Sequence, residues 1–105
     1  MTIQFNTDSN INGTNALREP LFTLISEELS RFSRHITRLE VHLSDENGNK
    51  EGLNDIRCLL EARLQGRKPI AVTNNADTHE QAVAGAVDKL KTSLDKIIGR
   101  LRIQQ

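Results

Sequence analysis

Tryptophan and tyrosine are absent from this chain, phenylalanine occurs three times, and 105 residues hold one cysteine and two prolines. A hydrophobic share of 36% carried almost without rings predicts a core of Leu, Ile, Val and Ala rather than of stacked aromatics. One thiol, Cys58, cannot close an internal disulfide, so packing alone has to hold the fold, in keeping with a reducing compartment. No stretch approaches the roughly 20 apolar residues that span a bilayer, and Met1 to Asn10 lacks the basic-then-apolar pattern of a secretory signal. A cytoplasmic protein is therefore expected. An excess of charge of one sign is missing too: 14 Lys and Arg stand against 14 Asp and Glu, a formal net charge of zero. Nucleic-acid-binding domains are usually basic, so any RNA site here has to come from segregation of charge within the fold. There is no Gly-rich phosphate loop, nucleophile elbow or paired-acid motif. His35, His42 and His79 share no metal-ligand spacing with one another or with Cys58. No catalytic residue, metal, cofactor or small-molecule substrate is expected.

What is present is periodicity, enough for one domain over 1–105. Thr2 to Thr7 places Ile3 and Phe5 among polar neighbours, the period of a half-buried strand. Asp8 to Asn15 is a turn-rich connection. From Ala16 to Phe32, Leu17, Leu21, Leu24, Ile25, Leu29 and Phe32 recur at helical spacing, with Thr14 or Asn15 as cap. Pro20 has no backbone N–H and is expected in the first turn of this helix. Arg38 to Ser44 alternates, with Leu39, Val41 and Leu43 on one side and Arg38, Glu40 and His42 on the other. Asp45 to Asn54 is a polar, Asn- and Gly-rich hairpin connection, expected to be mobile. Asp55 to Leu64 alternates again, with Ile56, Cys58, Leu60, Ala62 and Leu64 inward, and Ile70 to Thr73 supplies a fourth strand after a short turn. Asp77-Thr-His-Glu or Thr78-His-Glu-Gln fits a capping box. Behind it Val83, Ala86, Val87, Leu90, Leu94, Ile97, Ile98 and Leu101 fall within about 120° of arc at about 100° per residue, one continuous stripe.

The order β-α-β-β-β-α defines an α+β domain. A helix between the first two strands makes them a parallel pair joined by a right-handed crossover, and the remaining strands form antiparallel hairpins. The expected architecture is a four-stranded mixed sheet with both helices packed on one face, leaving Arg38, Glu40, His42, Arg57, Glu61 and Arg63 on the solvated face.

The chain at this point resembles the hibernation-promoting factor and ribosome-associated inhibitor family, also called sigma-54 modulation proteins. The resemblance covers nearly all of it. It rests on Asn15-Ala-Leu-Arg-Glu in the first helix, Val41-His-Leu-Ser-Asp-Glu in the second strand, Asp55-Ile-Arg-Cys-Leu-Leu-Glu-Ala-Arg in the third and Ala86-Val-Asp-Lys-Leu in the last helix, in that order. It implies a fold similar to double-stranded RNA-binding domains. It also implies a stationary-phase stress factor that binds the small ribosomal subunit and its rRNA in the messenger and transfer RNA channel and blocks translation. Long members of the family add a carboxy-terminal dimerisation domain; a chain stopping at Gln105 looks like the short form, for which self-association is possible but not implied.

The residues that suit this role lie mostly on the last helix. With Lys89 at zero, Lys96 falls near about −20° and Arg100 near about +20°, so three cations line one edge of the apolar stripe. That edge is expected to border the cleft or flank where the helices meet, with Asp88 and Asp95 moved off it. Lys91 and Arg102 form a weaker second row, and Arg18 on the first helix either reaches phosphate or pairs with Glu19 or Glu28. Such rows neutralise phosphates and release counterions; the plain alternative is that the cations lay their stems along the stripe. By the resemblance, Lys89, Lys96 and Arg100 match positions commonly basic in the family, whereas Thr92, Ile98, Glu27 and Glu28 stand where relatives often carry cations, which weakens the expected grip. Glu28 falls inside its apolar stripe and calls for a structural salt bridge. Arg67 and Lys68 are turn charges, either solvated or touching RNA. The rival reading is a diverged member that docks on a protein through its exposed sheet face, where Leu59 is the apolar hint.

Overall fold

The computed structural model describes the backbone of residues 1–7, 15–45 and 55–103, and the side chains of all of these except 15, 16 and 99–103. Thr14 as a cap and the 46–54 connection lie outside the described residues. Four strands form one sheet in the order β1 (Thr2–Thr7), β2 (Ile36–Asp45), β3 (Ile56–Leu64), β4 (Ile70–Ala76). β1 runs parallel to β2, and the other two pairs are antiparallel. Two helices, α1 (Asn15–Glu28) and α2 (His79–Ile103), pack on one face, so the α+β order expected from periodicity holds.

Register explains the core. Leu39 stands opposite Ala62, Val41 opposite Leu60 and Leu43 opposite Cys58, all buried, with Ile3 and Phe5 of β1 and Ile70 and Val72 of β4 continuing the same rungs. From the helices Leu21, Ile25 and Leu29 meet Val83, Val87, Leu90 and Leu94, none more than 3% exposed. The chain has no buried polar or charged residue among those described. No helix is long and apolar enough to cross a membrane.

Four local details depart from the sequence expectation, each for a physical reason. The helix expected to run to Phe32 ends at Glu28 and continues as a 3₁₀ turn over Ser30–Phe32, with the Phe32 amide donating to the Leu29 carbonyl at 3.0 Å. In a 3₁₀ turn residues three apart eclipse, so Phe32 comes to lie over Leu29 and is buried, where an α-turn would have rotated it about 60° away. Pro20 is not in the first turn but is the sixth residue of α1. It removes the hydrogen bond to the Ala16 carbonyl, a tolerable loss with so little helix before it. β2 begins at Ile36, earlier than expected, because a register shift between Ile36 and Arg38 lets Ile36 and Leu39 both face inward despite their odd separation. β4 runs three residues beyond Thr73 through Asn-Asn-Ala, poor strand formers, because β3 pairs with them as far as Ala76.

Asn74 faces the helices from this extension, opposite Cys58. Its amide donates to the carbonyls of Ala82 and Gln81 at 3.2 and 3.4 Å. α2 starts from Thr78, whose hydroxyl accepts the Gln81 amide at 3.1 Å, the N-cap bond of the Thr78-to-Gln81 candidate. A Cβ added at Gly85 would stand 2.7 Å from Asn74 Cγ and nearer still to its amide nitrogen, so glycine is required there by proximity rather than by backbone angle.

Gly85→Ala should therefore destabilise the protein by about 1–3 kcal/mol in urea unfolding, against the usual gain from alanine in a helix. In an Asn74→Ala background the same change should be neutral or stabilising; equal cost in both backgrounds would show that the Asn74 contact is not the cause. Cys58 is completely buried, and burial pushes its thiol up from 9.0 to about 12. The folded state thus holds the proton that an unfolded chain gives up, so this contribution to stability is fully present below pH 9 and is lost as the pH climbs towards 12. A thiol reagent at pH 8 should label Cys58 only after denaturation.

Candidate nucleic-acid interface

Of the six cations singled out in the sequence, the structure describes the side chains of Lys89, Lys91, Lys96 and Arg18. Lys89 lies on the β4 side of α2, where its ammonium donates to the Thr73 carbonyl at 2.8 Å. Lys89 therefore borders the β4 edge of the sheet and not the place where the helices meet, which corrects its expected placement. Lys91 is the cation that faces α1: it pairs with Glu28 at 3.1 Å, giving Glu28 its salt bridge. Arg18 is exposed and pairs with neither Glu19 nor Glu28. It stands near the start of α1, by the end of the molecule where Leu17 and Leu21 meet Thr78 and His79, far from the rest. Lys96 is exposed and has no ion-pair partner among the described residues. The side chains of Arg100 and Arg102 lie outside the described residues.

Lys96 has company that the sequence did not announce. α2 runs antiparallel to β4, as the contacts of Asn74 with Gln81 and Ala82 and of Thr73 with Lys89 show. One heptad beyond Lys89 is about 10 Å along the helix, so Lys96 comes level with the start of β4. The β3–β4 turn, closed by Gly66 at φ +70°, exposes Arg67 and Lys68 there. The 3₁₀ turn arrives at the same end, with Arg31 held by Asp95 at 2.9 Å and stacked 4.2 Å over the Phe32 ring. Arg34 follows, exposed, and the His35 carbonyl accepts the Gln65 amide at 3.0 Å, which ties the entry of β2 to the exit of β3. The register adds Arg38 opposite Arg63, with Thr2 of β1 beside Arg38. One end of the molecule thus collects Arg31, Arg34, Arg38, Arg63, Arg67, Lys68 and Lys96. The other gathers Asp45, Asp55, Asp77 and Glu80, at the ends of β2 and β4 and the starts of β3 and α2.

Some of these cations are committed internally. On the solvated sheet face Glu40 stands opposite Glu61, and like charges on one rung repel. Arg63 approaches Glu40 at 3.6 Å and Glu61 at 3.5 Å, Arg38 approaches Glu40 at 3.8 Å, and Arg38 also donates to the Gln4 side chain. Exposed pairs this long contribute little, so their role is to offset that repulsion. Arg34, Arg67, Lys68 and Lys96 have no ion-pair partner among the described residues and form the free part of the basic end. Leu59, on the same sheet face opposite His42, is half-buried. No group of His, Cys, Asp and Glu side chains among the described residues could hold a metal ion.

No curated protein sequence matches the chain. Among solved structures it is similar to the Thermus thermophilus Protein Y N-terminal domain, with TM-score 0.67 and 22% identity over 92% of this chain and 99% of that one. It is also similar to a ribosomal subunit interface protein from Coxiella burnetii, with TM-score 0.70 and 22% identity over 94% of this chain and 99% of that one. At that identity the likeness shows the fold. The model of the family described as sigma 54 modulation protein / S30EA ribosomal protein matches residues 5–102, nearly the whole sequence, and the chain belongs to that family.

Proposed function

We propose that this protein is a ribosome-associated translation inhibitor of the stationary phase, a cytoplasmic hibernation factor that binds rRNA of the small subunit in the channel used by messenger and transfer RNA. Family membership carries this reading, and the Coxiella burnetii protein of the same fold is named for the ribosomal subunit interface. The basic end of the sheet supports contact there. Lys96 on α2, Arg67 and Lys68 on the turn, and Arg34 before β2 come from three separate elements, so together they present charge in two dimensions, as a folded phosphate backbone requires. Arg100, four residues beyond Lys96 in the sequence, belongs to the same proposed contact. Lys89 serves the β4 edge, Lys91 serves Glu28, and Arg18 stands away from the basic end. Action is by occupancy: a domain seated in the channel excludes its other users, with no bond made or broken.

The test is co-sedimentation with purified small subunits from roughly 50 to 300 mM salt, where each phosphate neutralised adds about 0.7–0.9 to the log–log slope. Reversing Arg67, Lys68 and Lys96 to Glu together should weaken binding at least tenfold, by about 1.4 kcal/mol or more, and flatten the slope by about 2–3. Arg18→Glu should leave both nearly unchanged. A wild-type protein that stays in the supernatant at the lowest salt would overturn the ribosome reading, and loss of binding in Arg18→Glu alone would move the site to α1.

A further inference from the structure

The cleft between α1 and α2 is an open groove of about 600 Å³. Pro20 and Leu24 of α1 and Val87 of α2 line it with apolar surface, and Glu27, Glu80 and Asp88 stand on its rim. A smaller hollow of about 320 Å³ shares Pro20 and Glu80 with it and prolongs it towards the start of the helices. The rim carboxylates are exposed, and none has an ion-pair partner among the described residues. Lys91, the cation that faces α1, is taken up by Glu28. The groove is therefore apolar at its floor and carries three uncompensated negative charges. It repels nucleic acid, so it is no part of the basic end.

We propose that this groove docks a cationic amphipathic protein segment, one in which Lys or Arg alternates with aliphatic residues along a helical face. Charge complementarity selects the cations, and the apolar floor selects the aliphatic stripe. The spacing of the acids excludes a point ion: they are not close enough together to hold a metal. Charges spread along a trough suit a partner whose own charges are spread along a chain. This inference goes beyond the ribosome reading and does not depend on it.

Fluorescence anisotropy in about 100 mM salt, with the full chain and no ribosome, tests it. The probe is a labelled Leu/Lys amphipathic peptide of about 14 residues, beside a peptide of equal charge in which Ser replaces every Leu. Saturable micromolar binding is expected for the first, weakened at least tenfold in the second. The double reversal Glu27→Lys with Glu80→Lys, both at exposed positions, should abolish it while the unfolding midpoint stays within a few degrees. Glu19→Lys, on α1 outside the groove, should change affinity less than twofold. Equal binding of the two peptides would overturn the proposal, as would equal losses from Glu19→Lys and the groove reversal, or binding of a single-stranded oligonucleotide that the groove reversal alters. Because the ribosome is absent, failure here leaves the co-sedimentation result untouched.

Discussion

The placement of the charged groups of α2 against the sheet rests on one side-chain contact, that of Asn74 with the first turns of the helix. An amide on the inward face of a sheet is costly unless its hydrogen bonds are made. Here the Ala82 and Gln81 carbonyls accept them, and they can approach so closely because Gly85 has no side chain. The contact fixes how far α2 has slid along β4. Given that position, Lys89 reaches the Thr73 carbonyl, Asp95 meets Arg31, and Lys96 arrives beside the β3–β4 turn. A slide of one helical turn, about 5.4 Å, would undo all three.

Much of the fold was legible because its signals are local. Leu39, Val41 and Leu43, then Ile56 to Leu64, alternate for as long as their strands last, and α2 carries its buried stripe without interruption. The mixed sheet followed from connection lengths. What was not legible arose from contacts between distant segments. Phe32 is buried through a 3₁₀ turn that no spacing rule for α-helices anticipates, and Ile36 faces inward only because a bulge resets the phase. Asn74 and Asn75 are strand residues because β3 holds them there. The site was the least legible part. A helical wheel places Lys89, Lys96 and Arg100 on one edge of the helix but cannot say which neighbour that edge meets. Arg34 and the Arg67–Lys68 pair are far apart in the sequence and come together only where one strand's start, a second strand's end and a third strand's start share one end of the sheet.

A net charge of zero and a strongly basic end are compatible for the same reason. The short turn between β3 and β4 is basic, whereas the ends of β2 and β4 and the starts of β3 and α2 at the opposite pole are acidic. The order in which the chain visits the two ends sorts the charges, and the Glu40–Glu61 rung between them is offset by Arg38 and Arg63.

Strand β2 has ten residues and spans about 34 Å from one of these ends to the other. Mobile ions damp electrostatic forces within about 8 Å at physiological ionic strength. A phosphate touching the basic end is therefore blind to the carboxylates at the far end, and electrically the molecule behaves there as a small basic protein. Farther out, in dilute salt where damping reaches about 30 Å, both poles are felt at once. The attraction and repulsion then nearly cancel as a pull but not as a torque. A polyanion turns this protein before it draws it in, so the basic end comes forward first.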